Sequence, residues 1–375
     1  MVTIYQNAKI VTGGQIMEGF EVITENGKIV SVQPLQPHEE TVIDCKGAYL
    51  VPGFIDLHCH GAGGFEFIDG DPETFKKACE IHASHGTKVL YPTISACNYD
   101  TMYHALEAAE KVIADCPLCI PGLHLEGPYL APEMCGAQDT SYITPPVKED
   151  YTRLIERFGK LIARWTYAPE RDDGSFLQAL NDNGIVASIG HSAAEYDVVK
   201  YASEHGCNLI THLYSCTSTI TRHGGFRHLG IIETAYLLDD IHVEAIADGC
   251  HLPPELMRLI VKCKGSDKVC LITDAIRHAG MTEIPKTMSG TANVPYFIED
   301  GVAKLADRSA FAGSIATTDV LLRRTVAAGI PLADTVKMLT EVPAKVMNLI
   351  EKGKVEAGFD ADFTFFDEDF NIVSF

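Results

Sequence analysis

The sequence predicts an α/β fold, a (β/α)8 barrel of the TIM type with a small β-sandwich domain built from both chain termini. In the middle of the chain, short apolar runs alternate with helical segments, a pattern typical of a closed sheet of parallel strands. Both ends have strand-type sequence without helices. We therefore expect residues 1–50 and 350–375 to form the sandwich and residues 51–349 to form the barrel, with a doubly wound open sheet as the alternative for the middle.

The terminal segments carry clear strand signals. The stretches "TIYQNAKIVT" and "FEVITENGKIVSVQ" are rich in β-branched and aromatic residues, and Asn26-Gly27 between two apolar stretches predicts a tight hairpin turn. The last residues, "GKVEAGFDADFTFFDEDFNIVSF", have the same character. Two strand-rich ends around a long middle segment predict one β domain assembled from both.

Eight strands are predicted between residues 53 and 275. Each is short and apolar and ends in polar residues; in chain order they are "GFIDLHCH", "TKVLYPTIS", "CIPGLHLEG", "ARWTYAPE", "IVASIGHS", "NLITHLY", "HVEAIADG" and "VCLITDA". The intervening segments 71–86 and 193–206 have helical apolar spacing and end in glycine, a common helix stop. The "GAGG" after His60 lacks the spacing of a dinucleotide-binding loop.

Composition and charge narrow the classes of partner. The chain has 375 residues, 46% hydrophobic content and a net charge of −21, which argues against nucleic acid and anionic membrane surfaces as partners. No apolar run is long enough for a membrane span, and the first residues lack a signal-peptide pattern. The twelve cysteines show no disulfide framework, so we expect reduced thiols and a cytoplasmic protein.

Six potential metal ligands fall at predicted strand ends. His58 and His60 stand two residues apart on the first strand, where alternating side chains point to the same side. Four more follow the apolar runs of strands three, five, six and eight, and these are Glu126, His191, His212 and Asp274. Because the carboxyl ends of barrel strands meet at one mouth, we expect all six side chains to converge there.

The donor types indicate which metals fit this mouth. Imidazoles and carboxylates without thiolates suit zinc, iron or manganese, and we expect one or two divalent ions per chain. A carboxylate between two pairs of histidines can bridge two ions. In that arrangement His58 and His60 hold one ion, the second pair holds the other, Glu126 lies between them, and Asp274 lies near the first. Cys59 alternates to the opposite face of its strand and is left out of the ligand set.

These elements resemble a known family. The HxH at 58–60, "HLEGP", "GHS", "THLY" and "TDA", in this order, resemble the amidohydrolase superfamily. Within it, "LHLEGPYLAPEMCGA", "DGCHLPPE" and "FAGS" resemble the N-acetylglucosamine-6-phosphate deacetylases, over nearly the whole chain from "VPGFIDLHCHG" to "GFDADFTFFD". Superfamily members that bridge two metals through a carboxylated lysine carry it after strand four, where this chain has "YAPE".

The resemblance implies a metal-dependent hydrolase that removes acetate from an amino-sugar phosphate, in amino-sugar catabolism. A divalent metal makes water acidic enough to attack an amide near neutral pH. Asp274 is the expected catalytic residue, which accepts a proton from the water and returns it to the leaving amine.

The resemblance also implies a set of substrate contacts. The family histidine that contacts the sugar phosphate matches His251, and an arginine supplied across a homodimer interface partners it in relatives. Arg222 or Arg227 could fill that role, and the spacing from "THLY" favours Arg222. The residues predicted to bind substrate are Ala137, Gln138, Ser215, Cys216, Arg222, Arg227, His251, Phe311, Ala312 and Gly313.

Three departures from the family pattern affect the substrate. Gln138 stands where the family commonly has a histidine that polarises the acetyl carbonyl, and Ser215-Cys216 replaces an Asn-Ala pair. Many members have lost the second strand-one histidine and use one metal, whereas this chain keeps both. The alternatives are a deacetylase of N-acetylgalactosamine 6-phosphate or of an N-acyl amino acid, and a barrel without catalysis that serves in binding or assembly.

Overall fold

The computed structural model describes residues 2–39, 41–285, 289–291 and 294–375, and it has the predicted α/β architecture. Eight strands form one sheet in which each strand pairs in parallel with the next along the chain. They are Phe54–Cys59, Thr87–Ile94, Leu123–Glu126, Ile162–Tyr167, Val186–Ile189, Leu209–Ile210, His242–Ile246 and Val269–Ile272. All eight predicted strands are confirmed.

The first and last strands of this sheet meet. The amide of Asp274 donates a hydrogen bond to the carbonyl of His58 at 2.9 Å, and Cys59 forms a parallel bridge with Ala275. The sheet is thereby closed into a barrel, and the alternative of an open doubly wound sheet is wrong. Closure brings the strands at the two ends of the barrel sequence, Phe54–Cys59 and Val269–Ile272, to one rim, where the predicted ligands lie.

A helix follows each barrel strand and covers the sheet from outside. Within the described residues these helices are Pro72–Ser84, Tyr99–Val112, Lys148–Phe158, Ser175–Asp182, Tyr196–Glu204, Ile231–Leu237, Pro254–Lys264 and Thr318–Ala327, and Leu332–Leu339 and Glu341–Val346 come after them. The first begins as its sequence predicts, because the Asp71 carboxylate accepts the Thr74 amide at 2.8 Å and Pro72 occupies the first turn. None of the described helices has the length and apolarity to cross a bilayer.

Two further sheets lie outside the barrel, and the second of them combines strands from both chain termini. One contains Val2–Gln6, Phe20–Glu25, Lys28–Pro34 and Val42–Asp44, and the other contains Lys9–Thr12, Gln15–Met17, Tyr49–Pro52, Phe363–Phe366 and Ile372–Val373. A single apolar cluster that includes Ile10, Val22, Leu50 and Phe363 lies between the two sheets, so they pack as a sandwich. The boundaries proposed from sequence, 1–50 with 350–375 and 51–349, stay a prediction.

The predicted hairpin turn at Asn26-Gly27 is confirmed. Both residues have positive φ angles, 51° and 78°, and they join antiparallel strands whose last pair is Glu25 with Lys28. Positive φ at both central positions is the geometry that favours Asn-Gly in two-residue turns.

Two insertions rise from the rim of the barrel. The hairpin of Thr221–His223 and Phe226–His228 follows the sixth barrel strand. A small antiparallel sheet of Ser289–Thr291, Val294–Glu299 and Val302–Leu305 follows the eighth. Both insertions belong to the carboxyl-end side of the barrel, the side on which barrel enzymes build their active sites.

Candidate active site and metal centre

The six predicted ligands converge at the carboxyl ends of five barrel strands. All six side chains are buried, although they are polar or charged: His58, His60, Glu126, His191, His212 and Asp274. Glu126 is central, because its carboxylate lies within 3.5 Å of all four imidazoles. Buried polar groups are costly unless they are paired or bind an ion, so this cluster requires a chemical reason.

One half of the cluster consists of His191, His212 and one oxygen of Glu126. The two Nε2 atoms lie 3.0 Å and 2.9 Å from Glu126 Oε1. On the opposite side of each ring, Nδ1 faces a backbone carbonyl, that of Met134 at 2.9 Å and that of Ser215 at 3.0 Å. A carbonyl can only accept, so both Nδ1 atoms carry the proton and, in the neutral rings, both Nε2 lone pairs point into the cluster.

The other half contains the strand-one pair and Asp274. The two Nε2 atoms of His58 and His60 are 3.2 Å apart, and Asp274 Oδ1 lies 3.6 Å and 3.3 Å from them. His60 Nε2 is also 3.3 Å from Glu126 Oε2, and its Nδ1 is held by the Ser95 hydroxyl at 2.9 Å. Glu126 Oε1 thus faces His191, His212 and, at 3.5 Å, His58, while Oε2 faces His60. One carboxylate contacts both histidine pairs.

These donors fit a divalent metal. Two sets have three ligand atoms that all lie within 4.8 Å of one another, and they share His58: one adds His60 and Asp274, and the other adds Glu126 and His212. Imidazole nitrogens with fixed tautomers and carboxylate oxygens are the ligands that zinc, iron and manganese take in proteins. Hydrogen bonds from the outer nitrogen of a ring to a carbonyl or hydroxyl orient metal-binding histidines.

The charges of the cluster favour positive charge in its centre. Burial alone would lower the pKa of His60, but its contacts with Asp274 and Glu126 outweigh burial and raise the pKa to about 10. The same carboxylates raise the pKa of His58 to about 9. Burial alone would raise the pKa of Asp274, but the imidazoles of His58 and His60 hold it at about 2. Protons and metal ions thus compete for the same sites.

The backbone is strained at three of the ligands. His191, His212 and Asp274 have φ angles of 48°, 30° and 46°, in the left-handed region that non-glycine residues rarely adopt. Each costs roughly 1–3 kcal/mol and persists only where the surrounding structure imposes it. The three sharp turns after strands five, six and eight aim these side chains at the same point.

A cavity of about 300 Å³ opens directly above the cluster. Eight of the ten residues predicted to bind substrate line it: Ala137, Gln138, Ser215, Cys216, His251, Phe311, Ala312 and Gly313. Glu66, Asp139, Tyr214 and Tyr296 also line it and were not predicted. Among the described residues, no lysine or arginine contributes to the lining.

Gln138 lines the cavity, and both ends of its side-chain amide are hydrogen-bonded within the protein. Its amide nitrogen donates to Glu126 Oε2 at 2.7 Å, and its amide oxygen accepts the Ala96 backbone N–H at 2.9 Å. Both ends of the amide thus bind protein groups, one of which is the central ligand. The predicted contact between Gln138 and the acetyl carbonyl stays a prediction.

His251 is held at the cavity wall by two neighbours. Its Nδ1 lies 2.7 Å from Asp248 Oδ2, and its ring packs edge-on against Phe311 with centroids 4.9 Å apart. Asp248 accepts the Nδ1 proton, so Nε2 is the atom that remains for a ligand.

Arg222 and Arg227 lie on the exposed hairpin rather than in the cavity. They are directly opposite each other in the antiparallel register, so both guanidinium groups lie on the same face. Like charges directly opposite are unfavourable, and an anion between them removes that cost. The predicted role of these arginines across a homodimer interface stays a prediction.

A buried polar layer beneath the cluster was missed by the sequence reasoning. Arg164 is fully buried and pairs with Glu244, although their strands are not neighbours in the sheet, so the pair spans the barrel interior. Glu244 also accepts the amide of His212 at 3.3 Å and lies 3.6 Å from His58 Nδ1. One signal was present, since a charged residue inside the apolar runs "ARWTY" and "HVEAI" is unusual.

The family assignment follows from comparison with known proteins. The model of the amidohydrolase family matches residues 49–375. The chain belongs to the amidohydrolase family. Among curated amidohydrolases it is similar to the N-acetylglucosamine-6-phosphate deacetylase of Lysinibacillus sphaericus, with 30% identity over 97% of this chain and 94% of that protein.

Solved amidohydrolase structures match the fold as well. The N-acetylglucosamine-6-phosphate deacetylase of Pasteurella multocida has a TM-score of 0.92 and 30% identity, over 99% of this chain and 97% of that one. A mutant of the Mycobacterium smegmatis enzyme, solved in complex with N-acetyl-D-glucosamine-6-phosphate, has a TM-score of 0.89 and 27% identity, over 99% of this chain and 96% of that one. The predicted family and barrel fold are confirmed.

Proposed function

We propose that this amidohydrolase cleaves the N-acetyl group of N-acetylglucosamine 6-phosphate, giving glucosamine 6-phosphate and acetate in amino-sugar catabolism. The observation that carries the proposal is the convergence of four imidazoles and two carboxylates below a cavity of about 300 Å³. The relatives named above support the choice of substrate.

The metal ligands are His58, His60, Glu126, His191 and His212, with Asp274 close to the strand-one pair. One or two divalent ions of zinc, iron or manganese bind there. A metal at this place supplies Lewis acidity, which makes water a sufficient nucleophile near neutral pH. Two ions are supported by Glu126, whose one carboxylate contacts both histidine pairs.

Asp274 moves the proton. Its carboxylate is ionised at neutral pH, because the neighbouring imidazoles hold its pKa at about 2. It accepts a proton from the attacking water as the water oxygen bonds to the acetyl carbon. It then donates that proton to the amide nitrogen, and the carbon–nitrogen bond breaks to release the amine and acetate.

The remainder of the cavity binds the sugar and its phosphate. His251 presents Nε2 at the wall toward the phosphate, and Asp248 behind it holds the ring in place through Nδ1. Arg222 and Arg227 of a second subunit supply the cations that the described lining lacks, so we propose that the enzyme is a homodimer. The backbone around Ala137 and at Phe311 to Gly313 lines the sugar subsite.

We place the reaction in the cytoplasm, because all twelve cysteines are free thiols. Proteins in a reducing compartment usually have no disulfide bonds, and none is present among the described residues. The acidic net charge of −21 is compatible with a small anionic substrate only if the cations are local, as the arginine pair provides.

The test measures acetate release together with metal content of the purified enzyme. The substrates are N-acetylglucosamine 6-phosphate, its epimer N-acetylgalactosamine 6-phosphate, unphosphorylated N-acetylglucosamine and an N-acetyl amino acid. We expect the highest kcat/KM for the first and one to two metal ions per chain. Equal rates with the phosphorylated and unphosphorylated sugars would overturn the substrate assignment, and a preference for the epimer or the amino acid would replace it.

A further inference from the structure

A second cluster of potential metal ligands lies on the exposed hairpin, away from the barrel mouth. It consists of Glu195, His223 and His228, whose ligand atoms all lie within 4.8 Å of one another. His223 Nε2 is 2.7 Å from Glu195 Oε1, and His228 Nδ1 is 3.3 Å from Glu195 Oε2. None of the three residues lines the cavity, and the proposed reaction gives them no part.

The hairpin register is what brings the two histidines together. Thr221 pairs with His228 and His223 pairs with Phe226, so the two histidines are diagonal neighbours on one face. Their ring centroids are 4.6 Å apart. The turn between them is the pair Gly224-Gly225, with φ angles of 58° and 89°, a geometry that keeps two-residue hairpins tight.

Glu195 is fixed against the base of this hairpin by the backbone. It forms an antiparallel bridge with Gly230, and the adjacent amide of Tyr196 donates to the carbonyl of Leu229 at 3.0 Å. Glu195 also begins the helix Tyr196–Glu204, so its carboxylate extends from a rigid element. The donors of the cluster are therefore held in place before any ion binds.

We infer that Glu195, His223 and His228 form a site for a divalent transition metal, zinc above all. Two imidazoles and a carboxylate are a ligand set that zinc takes, with solvent at the fourth position. Zinc bonds of 2.0–2.1 Å in a tetrahedral site put ligand atoms about 3.3 Å apart. The separation of His228 Nδ1 and Glu195 Oε2 already has this value, 3.3 Å, and the shorter contact with His223 opens slightly when the ion enters.

Zinc at this site fixes the hairpin as a whole. Arg222 and Arg227 occupy the opposite face of the same two strands, because side chains alternate along each strand. An ion that joins His223 and His228 to Glu195 therefore orders the strands that present the arginine pair. Unlike the barrel cluster, the hairpin site binds an ion whose role is structural and takes no part in hydrolysis.

The experiment counts zinc on the holoenzyme whose barrel metal is already loaded. Zn²⁺ alone is added in competition with a chromophoric chelator, and bound zinc per chain is measured. We expect the wild type to bind one equivalent more than a His223→Ala/His228→Ala double variant, and Glu195→Gln to lose the same equivalent. Barrel metal contributes equally to all three proteins, so it cancels in the comparison.

Two controls keep the result specific to the hairpin. His205→Ala removes an exposed histidine from the end of the adjacent helix and should bind as much zinc as the wild type. Hydrogen exchange locates the ion, because added Zn²⁺ should slow exchange at residues 221–228 in the wild type and leave the double variant unchanged. Equal zinc stoichiometry in the wild type and the double variant overturns the inference, as does exchange at 221–228 that zinc does not slow.

Discussion

Two clusters in this protein surround a carboxylate with imidazoles, yet their environments are opposite. In the barrel mouth, Glu126 and its four histidines are buried, and the outer nitrogens of His191 and His212 are held by backbone carbonyls. On the hairpin, the side chains of His223 and His228 are 60% and 40% exposed. Water satisfies the hairpin donors when no ion is bound, whereas the buried donors have only one another and a metal. Burial therefore makes it costly to leave the barrel donors without an ion or a proton, whereas solvent lowers that cost on the hairpin.

The largest expected effect is that of Glu126→Gln. The amide keeps the shape of the side chain but removes the charge that all four imidazoles share. We expect the variant to lose its bound metal and to lose kcat/KM by roughly a thousandfold or more, the upper end for one electrostatic group. Metal content and acetate release measured on the same preparation check this. The control is Glu133→Gln, which changes an exposed carboxylate near the same mouth and should leave metal content and activity unchanged. Normal metal content and activity in Glu126→Gln would show that Glu126 is not part of the metal centre.

Asp274→Asn separates chemistry from metal binding within the buried cluster. Asparagine tolerates the left-handed backbone at this position, so the fold is retained. The variant cannot accept a proton, and we expect kcat to fall by about two orders of magnitude or more while most of the metal is kept. Steady-state kinetics with metal analysis provide the measurement. A kcat within threefold of the wild type is the result that would exclude Asp274 as the proton carrier.

The arginines of the hairpin should affect binding rather than chemistry. Arg222→Ala removes charge-assisted hydrogen bonds to phosphate, and we expect KM for N-acetylglucosamine 6-phosphate to rise roughly tenfold or more with little change in kcat. Turnover of the unphosphorylated sugar should stay nearly the same. Arg227→Ala should behave similarly, because the two residues share a face. If each variant changed the kinetics of the phosphorylated and unphosphorylated sugars equally, neither arginine would bind the phosphate.

The smallest expected effect concerns His82, a buried histidine behind the cluster. It contacts Cys59 Sγ at 2.9 Å, and burial lowers its pKa to about 4. At pH values between about 4 and 6.5, His82 binds a proton in the unfolded chain but not in the folded protein. The free energy of unfolding therefore falls with decreasing pH, by at most about 1.4 kcal/mol per unit from this group.

Denaturant unfolding at pH 7 and pH 5 tests this contribution. His82→Gln should lose less stability between the two pH values than the wild type, whatever its stability at pH 7. Identical losses in the two proteins would assign the acid sensitivity to other groups.

The sequence predicted the barrel and the composition of its cluster, because both depend on local signals. Each strand is a short apolar run, and a polar residue at its end must lie at the common rim once the strands are parallel. His191 and His212 could be placed in this way although they come from different strands. No pattern in the sequence predicts the positive φ angles that His191, His212 and Asp274 adopt at the ends of their strands.

Contacts that depend on the fold could not be predicted in the same way. Gln138 binds Glu126 because the Ala96 amide orients its other end, and no spacing along the chain indicates that. The sequence leaves Arg222 and Arg227 as alternatives, since only the strand register shows that they share a face. The pair of Arg164 and Glu244 joins strands four and seven and becomes visible only after the barrel closes.

The strained turns at His191, His212 and Asp274 have an evolutionary consequence. Glycine adopts their backbone angles without cost, so selection for a stable fold alone favours glycine at all three positions. Selection for hydrolysis opposes that change, because glycine has no donor atom. Among descendants of this gene, those freed from catalysis should therefore drift toward glycine or asparagine at 191, 212 and 274 while their barrels become more stable. The identities of residues 191, 212 and 274 would thus distinguish catalytically active descendants from those that have lost the activity.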